Sequence, residues 1–300
     1  MPRTMVPGPG LDDRPRELLI AGHVNVDRFL GVREFPAPDR TVPLVSYREA
    51  LGGTATNLAL VATRYGVASG LIARIGDGFP PAFRARLASS GIDLRGLELV
   101  RGTPTPTCFI VEDEEGRQRT LIDQGPMGDA RGARLPGPWL KEYAWLHLTT
   151  GDPDFQIRLA RRARAAGVRV AVDPAQEIHY RWDRPRFDAL LAGAEALFGN
   201  RSEIDHATEL VGGTEPSSLL ERVPLVVRTE GARGVTAFSR SGTVHVAAVR
   251  PARNVSAVGA GEAFRGGFYA GWFEGEPLRK ALIGGTRAAA RWMERADRGE

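Results

Sequence analysis

Short apolar runs alternate with amphipathic helical stretches along almost the whole chain, and this alternation restricts the fold more than any other feature. ELLIAG, GLIARIG, AWLHL, VRVAVD, EALFGN and PLVVRT read as buried strands. TNLALVATRYG and AFRARLASSG read as helices between them. A third helix carries signals at both ends: Asp152 as N-cap, Pro153 at the first helical position and Gly167 just past the last turn. Strand–helix–strand units of this kind build a largely parallel sheet with helices packed on it. Two helical segments, GEAFRGGFYAGWF and PLRKALIGGTRAAARWMERA, close the chain.

Two stretches break the alternation. One is DRFLGVREFPAPDRTVPLVSYREALGG; the other, TCFIVEDEEGRQRTLID, has the pattern of a hairpin whose acidic turn ends at Gly116. Neither suits a parallel strand–helix–strand sheet, so the two are expected to form a small antiparallel sheet beside the main layer. SRSGTVHVAAV, from Ser239 to Val249, suggests a further hairpin late in the main sheet.

At 300 residues, with 42% apolar and 25% charged side chains, the chain can bury a sizeable core in one compact unit. No apolar run is long enough to cross a bilayer as a helix, so a membrane protein is not expected. The polar, Pro- and Arg-rich stretch from Met1 to about Arg16 reads as a mobile leader rather than a signal peptide. Cys108 is the single cysteine, which rules out an intrachain disulfide and a cysteine zinc cluster, and a cytoplasmic location is the default expectation. The formal charge of +4 comes almost wholly from arginine. Because the arginines are spread through helices such as RLARRARAAG, solvated helix faces are preferred to a nucleic-acid surface.

The richest chemistry lies in VGAGEAFRGGFYAG. Gly259, Ala260 and Gly261 stand where a helix begins, and unpaired backbone amides together with the helix dipole make such a start an anion site. Glu262 in the first turn repels phosphate, so its part in such a site would be to take a proton from an attacking hydroxyl. On these residues alone, a plain glycine-rich helix start remains an equal reading. Near the other end, GHVNVD places Asn25 and Asp27 just after the first strand, and GGTATN places Gly53 and Asn57 at a helix start. An Asp and an Asn at the carboxyl end of a parallel strand suit paired hydroxyls, although turn and capping roles explain each motif separately. There is no GxxxxGK[ST] and no dinucleotide GxGxxG.

Order narrows the choice. GHVNVD, GGTATN, RIGDGF with GID, the TPTPTCFI hairpin, NRSE, RTEGARG and VGAGEAF follow one another in a sequence that resembles the PfkB or ribokinase family of carbohydrate and nucleoside kinases, from about Leu18 to about Met293. The resemblance implies an α/β fold, a three-layer αβα ribokinase-like domain over 17–296 with a mostly parallel central sheet and a small β lid from segments near 28–51 and 105–123. It implies ATP and Mg²⁺ and a small sugar or nucleoside as partner. Neither nucleic acid nor membrane is expected, and pairing of two copies through the lid is compatible with this layout. By position, Asn25, Asp27, Gly53 and Asn57 would hold the acceptor. Asn200, Thr229, Gly231 and Gly234 would lie along the nucleotide, and Glu203 would organise Mg²⁺ through water. Gly259, Ala260 and Gly261 would form the anion hole, with Glu262 as catalytic base.

One position departs from the pattern. The family reads Asp-Thr-Thr-Gly-Ala-Gly-Asp where this chain reads Ser256-Ala257-Val258-Gly259-Ala260-Gly261-Glu262. The base keeps its carboxylate but gains a methylene. Ser256 and Val258 replace residues that help form the family's monovalent-cation site, which argues against potassium activation. These changes motivate an alternative, a ribokinase-fold ligand-binding protein with impaired catalysis.

Overall fold

The first strand, β1 (Arg16–Ala21), buries both of its faces: Leu19 and Ala21 enter one hydrophobic cluster, Leu18 and Ile20 another. A strand covered on two sides requires a helical layer on each. The computed structural model, which describes residues 16–252 and 258–296, supplies both layers. Its first half continues with β2 (Asn25–Gly31), β3 (Ser46–Gly52), α1 (Thr54–Arg64), β4 (Ser69–Asp77), α2 (Pro81–Ser89), β5 (Asp93–Pro104), β6 (Thr107–Glu112), β7 (Gln118–Asp123) and the single turn α3 (Gly125–Gly128). There follow β8 (Tyr143–Leu148), α4 (Pro153–Ala165), β9 (Arg169–Val172), α5 (Arg184–Leu191), β10 (Ala196–Asn200), α6 (Arg201–Leu210) and β11 (Leu225–Thr229). The chain ends with β12 (Val235–Ser239), β13 (Gly242–Val246), α7 (Ala260–Phe273) and α8 (Leu278–Ala296).

Nine strands form the main sheet in the order β13-β12-β11-β10-β9-β8-β1-β4-β5, all parallel except for β12, which is antiparallel to both of its neighbours. One face is covered by α4, α5 and α6 through side chains such as Phe155, Phe187 and Ile204. The other is covered by α1, α2, α7 and α8 through Leu58, Leu87, Phe268 and Leu282. The chain runs outward from β1 through β4 and β5 on one side, and from β8 to β13 on the other. Strand order therefore reverses between β1 and β8, where the crevice at the carboxyl ends of the strands opens.

Both stretches that break the alternation enter a second sheet of four strands, ordered β3-β2-β6-β7, with β2 antiparallel to β3 and parallel to β6. The acidic turn between β6 and β7 is organised by Asp113, whose Oδ1 accepts from the Glu115 and Arg117 amides at 3.1 and 2.9 Å. Local signals hold elsewhere too: Asp152 Oδ1 accepts from the Phe155 amide at 2.8 Å, and Gly167 turns the chain at φ +78°. The late hairpin is β12 and β13, so its first arm begins at Val235, ahead of the expected start. β1 takes in Arg16, the last residue of the expected leader, and pairs its side chain with Asp93 and Tyr143. The remaining leader residues, 1–15, lie outside the described residues, as do Ser256 and Ala257. Among the described residues no helix is long and apolar enough to cross a membrane.

Candidate active site

The acceptor motifs meet through their backbones. Gly53 adopts φ +101°, and a Cβ there would run into the His23 carbonyl and stand 2.9 Å from the Asn25 amide nitrogen, so the start of α1 lies directly on the β1–β2 connection. Thr54 Oγ1 ties the same helix start to Thr149 and Thr150, just past β8, at 2.9 and 2.8 Å. Asn25 and Asp27 are not loop residues, as their place after the first strand suggested. They begin β2, at the root of the small sheet, where Asp27 is opposite Ala50 of β3 and Cys108 of β6. Both are buried, and Asn25 Oδ1 has no hydrogen-bond partner among the described residues. The Asp27 carboxylate fills the space a side chain at Gly52 would need. Burial pushes Asp27 up to about 7, the negative charge of Glu262 adds to this, and Arg48 opposes both. Asn57 is half-buried in the first turn of α1, its amide donating to the Gly53 carbonyl at 2.9 Å.

The expected phosphate side is the start of α7. Gly259 is its N-cap in the left-handed region at φ +79°, seated on the Trp292 ring, and among the described residues no N-cap side chain bonds the helix start. The Glu262 carboxylate accepts from its own backbone amide, so among the described residues Ala260 and Gly261 supply the first-turn amides open to an outside acceptor. Glu262 is half-buried, and its desolvation raises its carboxyl, while Arg265 pulls the other way. Arg265 is not the helix-surface residue that its spacing from Glu262 suggests. It is buried and ion-paired with Asp173. Asp173 follows β9, and His147 of β8 stands 3.7 Å from its Oδ2 and bonds Tyr269 of α7 at 2.7 Å. Burial pushes Asp173 up, but the Arg265 guanidinium and His147 outweigh it and hold the carboxyl below its usual range. Burial keeps His147 below its usual range, hence neutral.

Of the residues expected along the nucleotide and its Mg²⁺, Asn200 and Glu203 close the start of α6 as a reciprocal capping box. The Glu203 amide donates to Asn200 Oδ1 at 3.0 Å, and the Asn200 amide donates to Glu203 Oε2 at 2.6 Å. Burial and then the charge of Asp173 raise the Glu203 carboxyl. Thr229 stands opposite Asn200 at the ends of neighbouring strands. Gly231 and Gly234 turn the chain into β12 with φ +59° and +103°. Asp27, Glu203 and Glu262 thus share one electrostatic neighbourhood, whereas no hydrogen bond or ion pair among the described residues links Thr229, Gly231 or Gly234 to it.

The model of the pfkB family carbohydrate kinases matches residues 15–297. The chain belongs to that family. This pfkB-family kinase is 32% identical to a nucleoside kinase of Methanothermobacter thermautotrophicus over 88% of its own length and 85% of the relative. It is also 32% identical to an ATP-dependent ribose-1-phosphate kinase of Halopiger xanaduensis, with 88% of each chain covered. Its backbone follows that of the Methanocaldococcus jannaschii nucleoside kinase, an archaeal member of the ribokinase family, with a TM-score of 0.86 at 25% identity over 93% of this chain and 92% of the other. The expected ribokinase-like α/β fold with its small β lid is therefore the observed one.

What the sequence did not reveal in this kinase is the inner half of the site: Asp173, Arg265, His147 and Tyr269. Two of the four carried a signal: the strand-ending Asp173-Pro174, which serves turns equally well, and Arg265, one turn after Glu262, whose spacing reads as helix surface before it reads as a partner of Glu262 or of a phosphate.

Proposed function

We propose that the kinase moves the terminal phosphoryl group of ATP to a hydroxyl of a nucleoside or of a ribose-type sugar, with Glu262 as general base. The observation that carries this reading is that Asp27 and Glu262 come from opposite ends of the chain, yet the charge of Glu262 is felt at the buried Asp27 carboxyl. One carboxylate suits hydroxyl binding, and the other stands at an uncapped helix start suited to phosphate. The relatives are named for a nucleoside and for ribose 1-phosphate, acceptors that share a pentose.

In the proposed reaction, Asp27 accepts hydrogen bonds from the acceptor's hydroxyls and Asn57 helps to orient it. The small sheet covers the pair and keeps water out. Glu262 takes the proton of the attacking hydroxyl as the acceptor oxygen bonds to the γ-phosphorus. The bond from that phosphorus to the β–γ bridging oxygen breaks, and ADP leaves. The first-turn amides of α7 stabilise the charge on the transferring group. Among the described residues no group of three or more carboxylates and histidines is placed to hold a metal ion by itself, so Mg²⁺ would arrive on the nucleotide phosphates, with Glu203 reaching it through water. Such an ion supplies charge neutralisation on the phosphates.

The test is turnover of ATP against a panel of nucleosides, ribose, ribose 1-phosphate and ketoses, run beside a thermal-shift screen with a non-hydrolysable ATP analogue. Phosphorylation of a pentose-bearing acceptor is expected. Acceptor binding without turnover would favour the impaired-catalysis alternative, and turnover of ketoses only would overturn the acceptor assignment.

A further inference from the structure

Arg265 is the one buried lysine or arginine among the described residues, and it lies against Gly261 at the start of α7. Its Nε pairs with Asp173 Oδ2. Its Nη1 stands 2.8 Å from where a Cβ on Gly261 would be. Gly261 thus lacks a side chain for a reason on its inner side: the guanidinium occupies that space from below. Asp173 is itself fixed, since its amide donates to the Leu148 carbonyl at 2.8 Å and its carboxylate faces His147. His147 returns to α7 through Tyr269, one turn beyond Arg265. Helix α7 is therefore fastened at two points to the carboxyl ends of β8 and β9.

We propose that Arg265 is a positioning residue for phosphoryl transfer: pinned by Asp173, its guanidinium braces the Gly259–Gly261 turn from inside and supplies fixed positive charge behind the transferring phosphate. A purely structural ion pair would be matched one to one. Here a single guanidinium interacts with Asp173, Glu262 and Glu203 in that order of strength, and nucleotide phosphates add further negative charge. Buried ion pairs contribute little net stability compared with apolar packing, so a role in stability alone is a weak account of its place under the reacting turn. A preorganised cation next to developing charge has a large effect in a water-poor site.

The inference rests on α7 being the phosphate side, and its test separates the two. Arg265→Ala should lower kcat by about a hundredfold or more, the scale of losing one preorganised donor. Acceptor affinity by calorimetry should stay within about twofold, because Asp27 and Asn57 are untouched. Guanidinium ion should restore kcat saturably, whereas urea, similar in shape but neutral, should not. Arg265→Lys keeps the charge without the planar fork and should fall between, with no response to guanidinium. Wild-type kcat in Arg265→Ala, or absent or equal rescue by guanidinium and urea, overturns the proposal. Should Arg265→Ala fail to fold, Asp173→Asn leaves the charge but releases it, and must show the same kcat loss at unchanged acceptor affinity. If Glu262→Gln is also fully active, the reading of α7 fails as well; if only the Arg265 and Asp173 variants are active, this inference alone fails.

Discussion

Glu262→Gln removes the proton acceptor while keeping its size, and kcat should fall by roughly a hundred- to ten-thousandfold. Nucleotide affinity should hold or improve, since a negative charge beside the phosphates is gone. Glu262→Asp asks a finer question. If the extra methylene is accommodated by the turn on Trp292, the shorter acid will miss the proton, and errors of about an ångström can cost on the order of a hundredfold. If the glutamate instead impairs a site shaped for aspartate, Glu262→Asp will exceed the native rate. Single-turnover rates decide, and native rates in both variants would remove Glu262 from the role of base. Asp27→Asn should weaken acceptor binding and spare ATP binding, because an amide oxygen beside an NH₂ cannot replace a carboxylate that accepts two hydroxyls. Unchanged acceptor affinity by calorimetry would take Asp27 out of the pocket. Sequence position alone located Asp27 and Glu262 because each lies in a short motif. Arg265 was different: three residues after Glu262, it looks the same whether it faces water or protein. Only the packing of α7 between the sheet and α8 turns it inward.

Whole elements were more legible than side chains, for a physical reason. Strand and helix runs are set by local periodicity, and α4 even shows its cap and its final glycine in the sequence. The assembly of β2, β3, β6 and β7 into one sheet is a long-range pairing that no local pattern specifies; only the misfit of two segments hinted at it. Asn-x-x-Glu shows the converse problem, a motif resembling an ion site that also forms the capping box of α6. The small sheet has its own prediction. Its hairpin tip is tied back to the β2–β3 connection by the Glu114 amide on the Arg33 carbonyl at 3.4 Å and by Arg119 over the Phe35 ring. Deleting Asp113 to Gly116 should loosen this closure, raise the acceptor KM and increase ATP hydrolysis without transfer, since water would enter. Wild-type coupling of hydrolysis to transfer in the deletion variant would show that this hairpin does not close the site.

The molecule as a whole buries carboxyls that resist ionisation, and this sets stability against activity along the pH axis. Burial pushes both Asp27 and Glu177 up to about 7. An acid whose folded pKa lies above its unfolded value stabilises the fold fully below the unfolded value, and that contribution is lost as pH rises through the folded one. For these two groups the loss runs from about pH 4 to about pH 7 and then levels off, so the ligand-free protein should melt at a lower temperature at pH 8 than at pH 5. The proposed reaction needs Asp27 and Glu262 ionised, so kcat/KM should rise over much of the range in which stability falls. Glu177 separates the two effects. It lies outside the reacting groups, holding the Gly151 amide at 2.6 Å and the Gln124 amide group at 2.8 Å. Glu177→Gln cannot titrate, so the difference in unfolding free energy between pH 5 and pH 8 should shrink by about 2.5 kcal/mol, because a carboxyl raised from 4.5 to about 7 loses about 1.4 kcal/mol for each pH unit in between. The acid limb of the kcat/KM profile should stay where it was. Chemical denaturation at the two pH values, beside a pH–rate profile, measures both quantities. An unchanged pH dependence of stability would mean that Glu177 is already ionised in the folded state, its charge held by Arg181 and the Gly151 amide despite burial.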